Sequence, residues 1–300
     1  MDWSREGPEW PHRSRSRFVS CAGQRWHVQQ WPAPRPGAPE LLLLHGTGAS
    51  THSWRVLAPL LARHAGVLAL DLPGHGFSAA AQLDGATLPG MARNVAVLLR
   101  QLGLQPALIV GHSAGAAIAV QMALDAAAAG AAVPSAIVSL NGALLPLHGP
   151  AWLLFSPLAK LLAAYRLVPQ VFAWSAADQT RVRRLVASTG STLDDEGVAL
   201  YGRLVRDPAH VAGALTMMAH WDLQALAARL PQLQTPLCLV IGERDRTLPP
   251  SHARRVAARL PQARLHSLPG LGHLAHEEDP QAVLQLLQPL LDEAAAPCGR

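Results

Sequence analysis

The sequence predicts an α/β fold, with a mostly parallel eight-stranded sheet, helices on both faces of the sheet and an inserted helical cap. Short apolar runs alternate with helix-favouring stretches in the first half of the chain, which is typical of a parallel sheet covered by helices. A Gly-x-Ser-x-Gly turn joins one apolar run to an alanine-rich stretch. The alternation lapses from residue 144 to residue 221 and the sheet pattern resumes at Pro236, which indicates an insertion.

The strands and helices follow from local patterns. Apolar and β-branched runs bounded by turn residues predict the strands, of which the last is the weakest. Helices are predicted between successive strands, near residues 52–64, 88–102 and 114–129. The predicted strands cover residues 17–21, 24–31, 40–45, 67–71, 107–111, 135–140, 236–242 and 265–268.

The chain divides into an arm, a core and a cap. Residues 1–16 are predicted to form an irregular N-terminal arm, residues 17–143 and 222–293 the α/β core, and residues 144–221 the helical cap. Aromatic side chains of the cap form either its own core or the roof of an apolar pocket or a membrane-facing surface, and periodicity does not separate these alternatives. The residues predicted to contact an apolar substrate are Trp152, Phe155, Phe172, Trp174, Met217 and Trp221.

Ser113 is the predicted nucleophile. It lies in the stretch Gly111-His112-Ser113-Ala114-Gly115, between the strand at 107–111 and the helix at 114–129. A Gly-x-Ser-x-Gly sequence in this context forms a tight turn that lifts the serine hydroxyl clear of the sheet, and the glycines leave room for strand and helix to cross closely.

A serine hydroxyl needs a base, and the base needs a carboxylate that orients it. Asp245 and His273 are the predicted acid and base, because each follows a strand in a loop next to Gly, at the edge where open α/β sheets place their sites. Glu243 is an alternative acid. His266 and His276 are alternative bases.

Two backbone amides are predicted to bind the oxyanion of a tetrahedral intermediate. The strand at 40–45 runs into His45-Gly46-Thr47-Gly48, a turn that can aim the Thr47 N–H at the site. The second donor is the N–H of Ala114, which follows the nucleophile. His45 is predicted to orient this loop rather than act as a base, and the side chain of His112 diverges from that of Ser113.

Composition limits the classes of partner. The chain has 300 residues, half of them apolar, and its Cys21, Cys238 and Cys298 show no disulfide or metal-site spacing. No run reaches the ~18 apolar residues of a membrane span, so we expect a cytoplasmic protein, with peripheral membrane contact left open. Dispersed arginines and a net charge of +5 predict no nucleic-acid partner but allow an anionic one.

These motifs together resemble the α/β-hydrolase superfamily over nearly the whole chain. Besides the serine turn they include Asp71-Leu72-Pro73-Gly74-His75-Gly76-Phe77-Ser78, Gly242-Glu243-Arg244-Asp245 and Gly272-His273 with Glu277. The resemblance implies an α/β-hydrolase fold with its cap inserted after the sixth strand of the sheet.

A narrower resemblance is to the magnesium-chelatase accessory proteins of bacteriochlorophyll synthesis, the BchO group. It implies a role beside magnesium insertion into protoporphyrin, with an apolar or tetrapyrrole small molecule and chelatase subunits as possible partners. The segments that carry it are Met1-Asp2-Trp3, Glu9-Trp10-Pro11, Arg17-Phe18-Val19, Trp26-His27-Val28, His45 to Trp54, Ser139 to Leu147, Phe155 to Lys160, and Gly213 to Ala219 before Trp221-Asp222.

Two functions of different class follow from these patterns. The first is a serine hydrolase that cleaves an ester-like bond of an apolar substrate and needs neither metal nor cofactor. The second is a non-catalytic tetrapyrrole-binding or chelatase accessory protein, because one fold hosts many functions. A lyase or haloperoxidase-like use of the same site ranks lower, and a haloalkane-type enzyme would need a carboxylate where Ser113 stands.

Overall fold

One sheet of eight strands organises the structure, a computed structural model that describes residues 1–80, 82–146 and 178–295. The strand order is β1-β2-β4-β3-β5-β6-β7-β8. The pairs β1–β2 and β2–β4 are antiparallel and the remaining five pairs are parallel, which confirms the predicted fold class. The strands are β1 Ser16–Cys21, β2 Gln24–Trp31, β3 Glu40–Leu44, β4 Gly66–Leu70, β5 Leu108–His112, β6 Ala136–Leu140, β7 Leu237–Gly242 and β8 Arg264–Leu268.

Helices cover both faces of the sheet. Helices α3, α4, α8 and α9 contribute to one apolar core, and α2 and α11 contribute to the core on the opposite face. None of the helices in the described parts of the chain is long and apolar enough to span a membrane. The helices are α1 Trp3–Glu6, α2 Leu57–Leu61, α3 Leu88–Leu102, α4 Ala114–Ala128, α5 Gln179–Ser188, α6 Asp195–Val205, α7 Pro208–His220, α8 Gln224–Arg229, α9 Pro250–Arg259, α10 Ala275–Glu278 and α11 Pro280–Ala295.

The stretch predicted as one helix near 52–64 is divided in the structure. A 3-10 helix at Thr51–Trp54 precedes the short helix α2. Pro59 has no N–H to donate to the carbonyl of Arg55, and that carbonyl instead accepts a hydrogen bond from Nε2 of His12 at 2.6 Å. A continuous helix is therefore lost, and the N-terminal arm is joined to the core at this point.

The arm and part of the cap can be placed on this frame. The arm forms α1 and two 3-10 turns, and Trp10 in it is buried against Phe77. The described part of the cap, from residue 178, is the three helices α5 to α7. The division into arm, core and cap stays a prediction. Four of the predicted substrate contacts, Trp152, Phe155, Phe172 and Trp174, lie outside the described residues.

Candidate active site

Ser113 occupies the sharp turn between β5 and α4. Its backbone has φ 50° and ψ −114°, a conformation that costs a non-glycine residue of the order of 1–3 kcal/mol. The turn is held because the Ser113 N–H donates to Leu140 O and the Ala143 N–H donates to Ser113 O, both at 3.0 Å. A Cβ on Gly115 would lie 2.1 Å from Leu44 O, so the close crossing of helix and strand requires glycine there. The side chain of Ser113 is half-buried.

The glycine-rich turn after β3 lies directly against this serine. A Cβ on Gly46 would be 2.9 Å from Ser113 Cβ, which places the following Thr47 amide beside the nucleophile. Ala114 is the first residue of α4, so its N–H has no partner within the helix. The two predicted oxyanion donors therefore flank Ser113, on the turn at residues 46–49 and at the start of α4. We call residues 46–49 the oxyanion turn.

His273 and Asp245 form a buried pair. Nδ1 of His273 and Oδ2 of Asp245 are 2.8 Å apart, and the residues are 6% and 5% exposed. Oδ1 of Asp245 accepts the N–H groups of Thr247 and Leu248, each at 2.8 Å. These contacts fix the carboxylate in one orientation, so that it in turn fixes the imidazole.

His112 connects the base to the serine turn. Its Nε2 donates to His273 O at 2.9 Å, and the centroids of the two imidazole rings are 4.8 Å apart. Because His112 is the neighbour of Ser113 in the chain, these contacts bring His273 to the turn that carries Ser113. Burial holds the pKa of His112 well below its usual value, which keeps this connecting ring neutral.

Asn141 is a site residue that sequence reasoning did not single out. It follows β6 with φ 46°, and its Nδ2 donates to Asp245 Oδ2 at 2.8 Å. The same oxygen therefore serves both Asn141 and His273. Its position at the carboxyl end of a parallel strand could have indicated this contact, because the same edge of the sheet carries Asp245 and His273.

The alternative acid and bases occupy different surroundings. Glu243 is exposed, and His266 is half-buried on the edge strand β8. The ring of His276 packs at a tilt against Trp54 with centroids 4.6 Å apart, and burial lowers the pKa of His276 to about 3. His45 uses both ring nitrogens on backbone: Nδ1 donates to Gly46 O at 2.8 Å, and Nε2 accepts the N–H of Leu72 at 2.9 Å.

Two of the predicted substrate contacts lie within the described cap. Met217 has no exposed surface, and its sulfur accepts the hydroxyl of Thr47 at 3.4 Å. Trp221 is half-buried and packs against the core cluster that contains Met217. Met217 therefore contacts the oxyanion turn through Thr47. Contact of either residue with a substrate stays a prediction.

A partly buried ion-pair network of four residues, of which only Asp194 is exposed, ties the loop after His273 to the cap. Arg55 donates to Glu277 Oε2 at 2.9 Å and to Asp194 Oδ1 at 2.6 Å, and the Tyr201 hydroxyl donates to Glu277 Oε1 at 2.8 Å. Burial raises the pKa of Glu277 to about 7, although Arg55 and Tyr201 favour its charged form. Asp194 and Tyr201 belong to the predicted cap, whereas Glu277 lies in α10, the short helix that begins two residues after His273. Over residues 1–80, 82–146 and 178–295, no three His, Cys, Asp or Glu side chains are grouped as metal ligands would be.

A sequence profile, sequence relatives and solved structures all match most of this chain. A sequence profile described as alpha/beta hydrolase fold matches residues 39–280. The magnesium-chelatase 30 kDa subunit of Rhodobacter capsulatus is 40% identical over 269 residues, which are 89% of this chain and 91% of that protein. An uncharacterized hydrolase of Bacillus subtilis, YugF, is 29% identical over 83% of this chain and 88% of its own. Among solved structures, a thermophilic esterase from Thermogutta terrifontis superposes with a TM-score of 0.72 at 21% identity, over 94% of this chain and 99% of that one.

Proposed function

The chain belongs to the alpha/beta hydrolase superfamily, as its motifs predict, and on that premise we propose that it is a serine hydrolase acting on an ester or thioester of an apolar substrate. One observation carries the proposal: Ser113 has a strained backbone at the turn between strand and helix, and its chain neighbour His112 contacts the buried His273–Asp245 pair. A strained backbone persists only where the surrounding structure enforces it, and such strain is concentrated at functional sites.

The reaction we propose is acyl transfer to water in two steps. Oγ of Ser113 attacks the acyl carbon while Nε2 of His273 takes the hydroxyl proton, and Asp245 stabilises the resulting imidazolium. The N–H groups of Thr47 and Ala114 bind the oxyanion until the carbonyl re-forms and the leaving group departs with the proton from His273. Water then attacks the acyl-enzyme in the same way and releases the acid.

A fluorophosphonate probe tests the activated serine without knowledge of the substrate. Ser113 Oγ would displace fluoride from phosphorus with His273 as base, so we expect a single phosphonyl adduct on the peptide that contains Ser113, located by mass spectrometry. Ser113→Ala should remain unlabelled. Ser188→Ala is the control, because Ser188 is an exposed serine of α5 and should leave labelling unchanged. A folded wild-type protein that forms no adduct would contradict the proposal.

A role beside magnesium chelatase is the second proposed function, and the 40% identity to a chelatase subunit favours it. In this role the protein would bind a tetrapyrrole or chelatase subunits, with the serine site used or idle. In a strain that depends on this protein, we expect Ser113→Ala to restore bacteriochlorophyll only partly, measured against the wild-type gene. Full restoration would assign the role to binding alone, and no restoration by a folded variant would make hydrolysis the whole role.

A further inference from the structure

One face of the cap helix α7 contacts the oxyanion turn and a second turn at residues 74–76. His210, Gly213 and Met217 are spaced by three and four residues, so they lie on the same side of the helix. Together they contact the oxyanion turn and the turn at residues 74–76. Helix α7 thus packs on these two turns through three of its residues.

His210 makes two hydrogen bonds that require a single protonation state. The Gly76 N–H donates to Nδ1 at 3.0 Å, and Nε2 donates to Gly48 O at 3.2 Å. Only a neutral imidazole with its proton on Nε2 satisfies both partners. Burial lowers the pKa of His210 to about 4, so this form is the one present at neutral pH. The side chain is 3% exposed.

The contacts on either side of His210 allow little movement. A Cβ on Gly213 would lie 2.0 Å from Gly74 O, so the helix backbone rests directly on the loop with no side chain between them. Further along the helix, the sulfur of Met217 accepts the hydroxyl of Thr47. The side chain of a predicted oxyanion residue is therefore held by the cap.

A chain of peptide groups leads from His210 to the oxyanion donor. Gly48 O and the Ala49 N–H belong to one planar peptide group, so fixing Gly48 O fixes the direction of that N–H. The Ala49 N–H donates to Gly46 O at 3.1 Å. Gly46 O shares its peptide group with the Thr47 N–H and also accepts a hydrogen bond from Nδ1 of His45 at 2.8 Å, so these two contacts together fix the direction of this amide.

We propose that α7 is a fixed part of the oxyanion hole and that His210 acts together with His45 as a positioning residue that directs the Thr47 N–H towards the nucleophile. This inference rests on the proposed serine-hydrolase function. Gly48 has φ +77° and, being glycine, rotates readily once its carbonyl is released. Loss of the His210 contact would free the Gly48–Ala49 peptide and weaken the hold on the Thr47 amide, which His45 would still contact through Gly46 O. The nucleophile, the acid and the base would be unchanged.

Two substitutions of His210 separate its two hydrogen bonds. In His210→Asn the amide oxygen can accept the Gly76 N–H, but the side chain is too short to reach Gly48 O. His210→Gln places an amide donor near Nε2 and can keep the bond to Gly48 O. We expect His210→Asn to lower kcat for p-nitrophenyl esters and the rate constant of fluorophosphonate labelling by about 10- to 100-fold, at unchanged KM. For His210→Gln we expect a loss of less than about threefold.

His220→Ala is the matched control, since His220 is an exposed histidine of the same helix whose Nδ1 donates to the carbonyl of Thr216, one turn earlier. It should react as the wild type does. Met217→Leu keeps the buried volume but removes the acceptor of Thr47, and it tests the same helix if His210→Asn does not fold. We expect this variant to lower the labelling rate about 3- to 10-fold.

The outcomes distinguish the inference from the function on which it rests. A folded wild-type protein that neither labels nor hydrolyses esters overturns both. With a reactive wild type, unchanged labelling of a folded His210→Asn variant overturns only the role of His210 in the oxyanion hole. The role is also overturned if His210→Asn and His210→Gln lose the same labelling rate and show the same decrease in Tm. That result would show that His210 supports only the packing of α7. If His210→Asn does not fold, unchanged labelling of Met217→Leu overturns it.

Discussion

Replacing Ser113 by Ala should lower kcat for short p-nitrophenyl esters by about 10⁶-fold while the fold is retained. The loss is this large because the serine, the base and the acid act as one unit, and removal of the nucleophile leaves only substrate binding and the oxyanion donors. The contacts that hold the turn, from Ser113 N–H to Leu140 O and from Ala143 N–H to Ser113 O, are made by backbone and survive the change. Steady-state kinetics measure the change in kcat, and circular dichroism shows whether the fold is retained.

Strain at the turn gives this prediction an internal control. Glycine adopts φ 50° at low cost, so Ser113→Gly should lose the same activity and raise the free energy of unfolding by about 1 kcal/mol relative to Ser113→Ala. Chemical denaturation of the two variants measures the difference. If both retain more than a small fraction of the wild-type activity, the nucleophile is a different residue.

The sequence predicts those features of the site that depend on neighbouring residues. The strand before Ser113 and the helix after it are local apolar patterns, and the Gly-x-Ser-x-Gly turn between them requires glycines that no larger residue could replace. The acid and base follow strands of the same sheet, so the edge on which they meet is also predictable from the order of elements.

Features that depend on distant residues were not predicted. Asn141 contacts an acid 104 residues later in the chain, and His210 contacts a glycine 134 residues earlier. The residues around Asn141 and His210 do not indicate which distant residue each one contacts, because only tertiary packing brings the contacting segments together. Met217 shows the same limit: its apolar character predicts a buried side chain, but not its contact with Thr47, which lies 170 residues earlier in the chain.

Asp245→Asn should lower kcat by about 10⁴-fold, less than the loss of the nucleophile. Both oxygens of Asp245 accept hydrogen bonds: Oδ1 from two backbone N–H groups, and Oδ2 from Asn141 and His273. An asparagine must turn its NH₂ group towards one of these pairs of donors. If the NH₂ group faced the N–H groups of Thr247 and Leu248, two hydrogen bonds would be lost in a buried site. Each group left unsatisfied there costs about 1–3 kcal/mol.

The other orientation removes catalysis directly. An NH₂ group in place of Oδ2 would donate to Nδ1 of His273, and the imidazole would then carry its proton on Nε2, where it cannot accept one from Ser113. Asn141 can turn its own amide oxygen towards the new NH₂ group, so the protein keeps its fold in the state that has lost the base. Glu243→Gln is the matched control, since Glu243 is an exposed carboxylate two residues from Asp245, and this variant should keep kcat and Tm within error. Measured side by side with p-nitrophenyl esters, a larger loss in Glu243→Gln than in Asp245→Asn would assign the acid to Glu243.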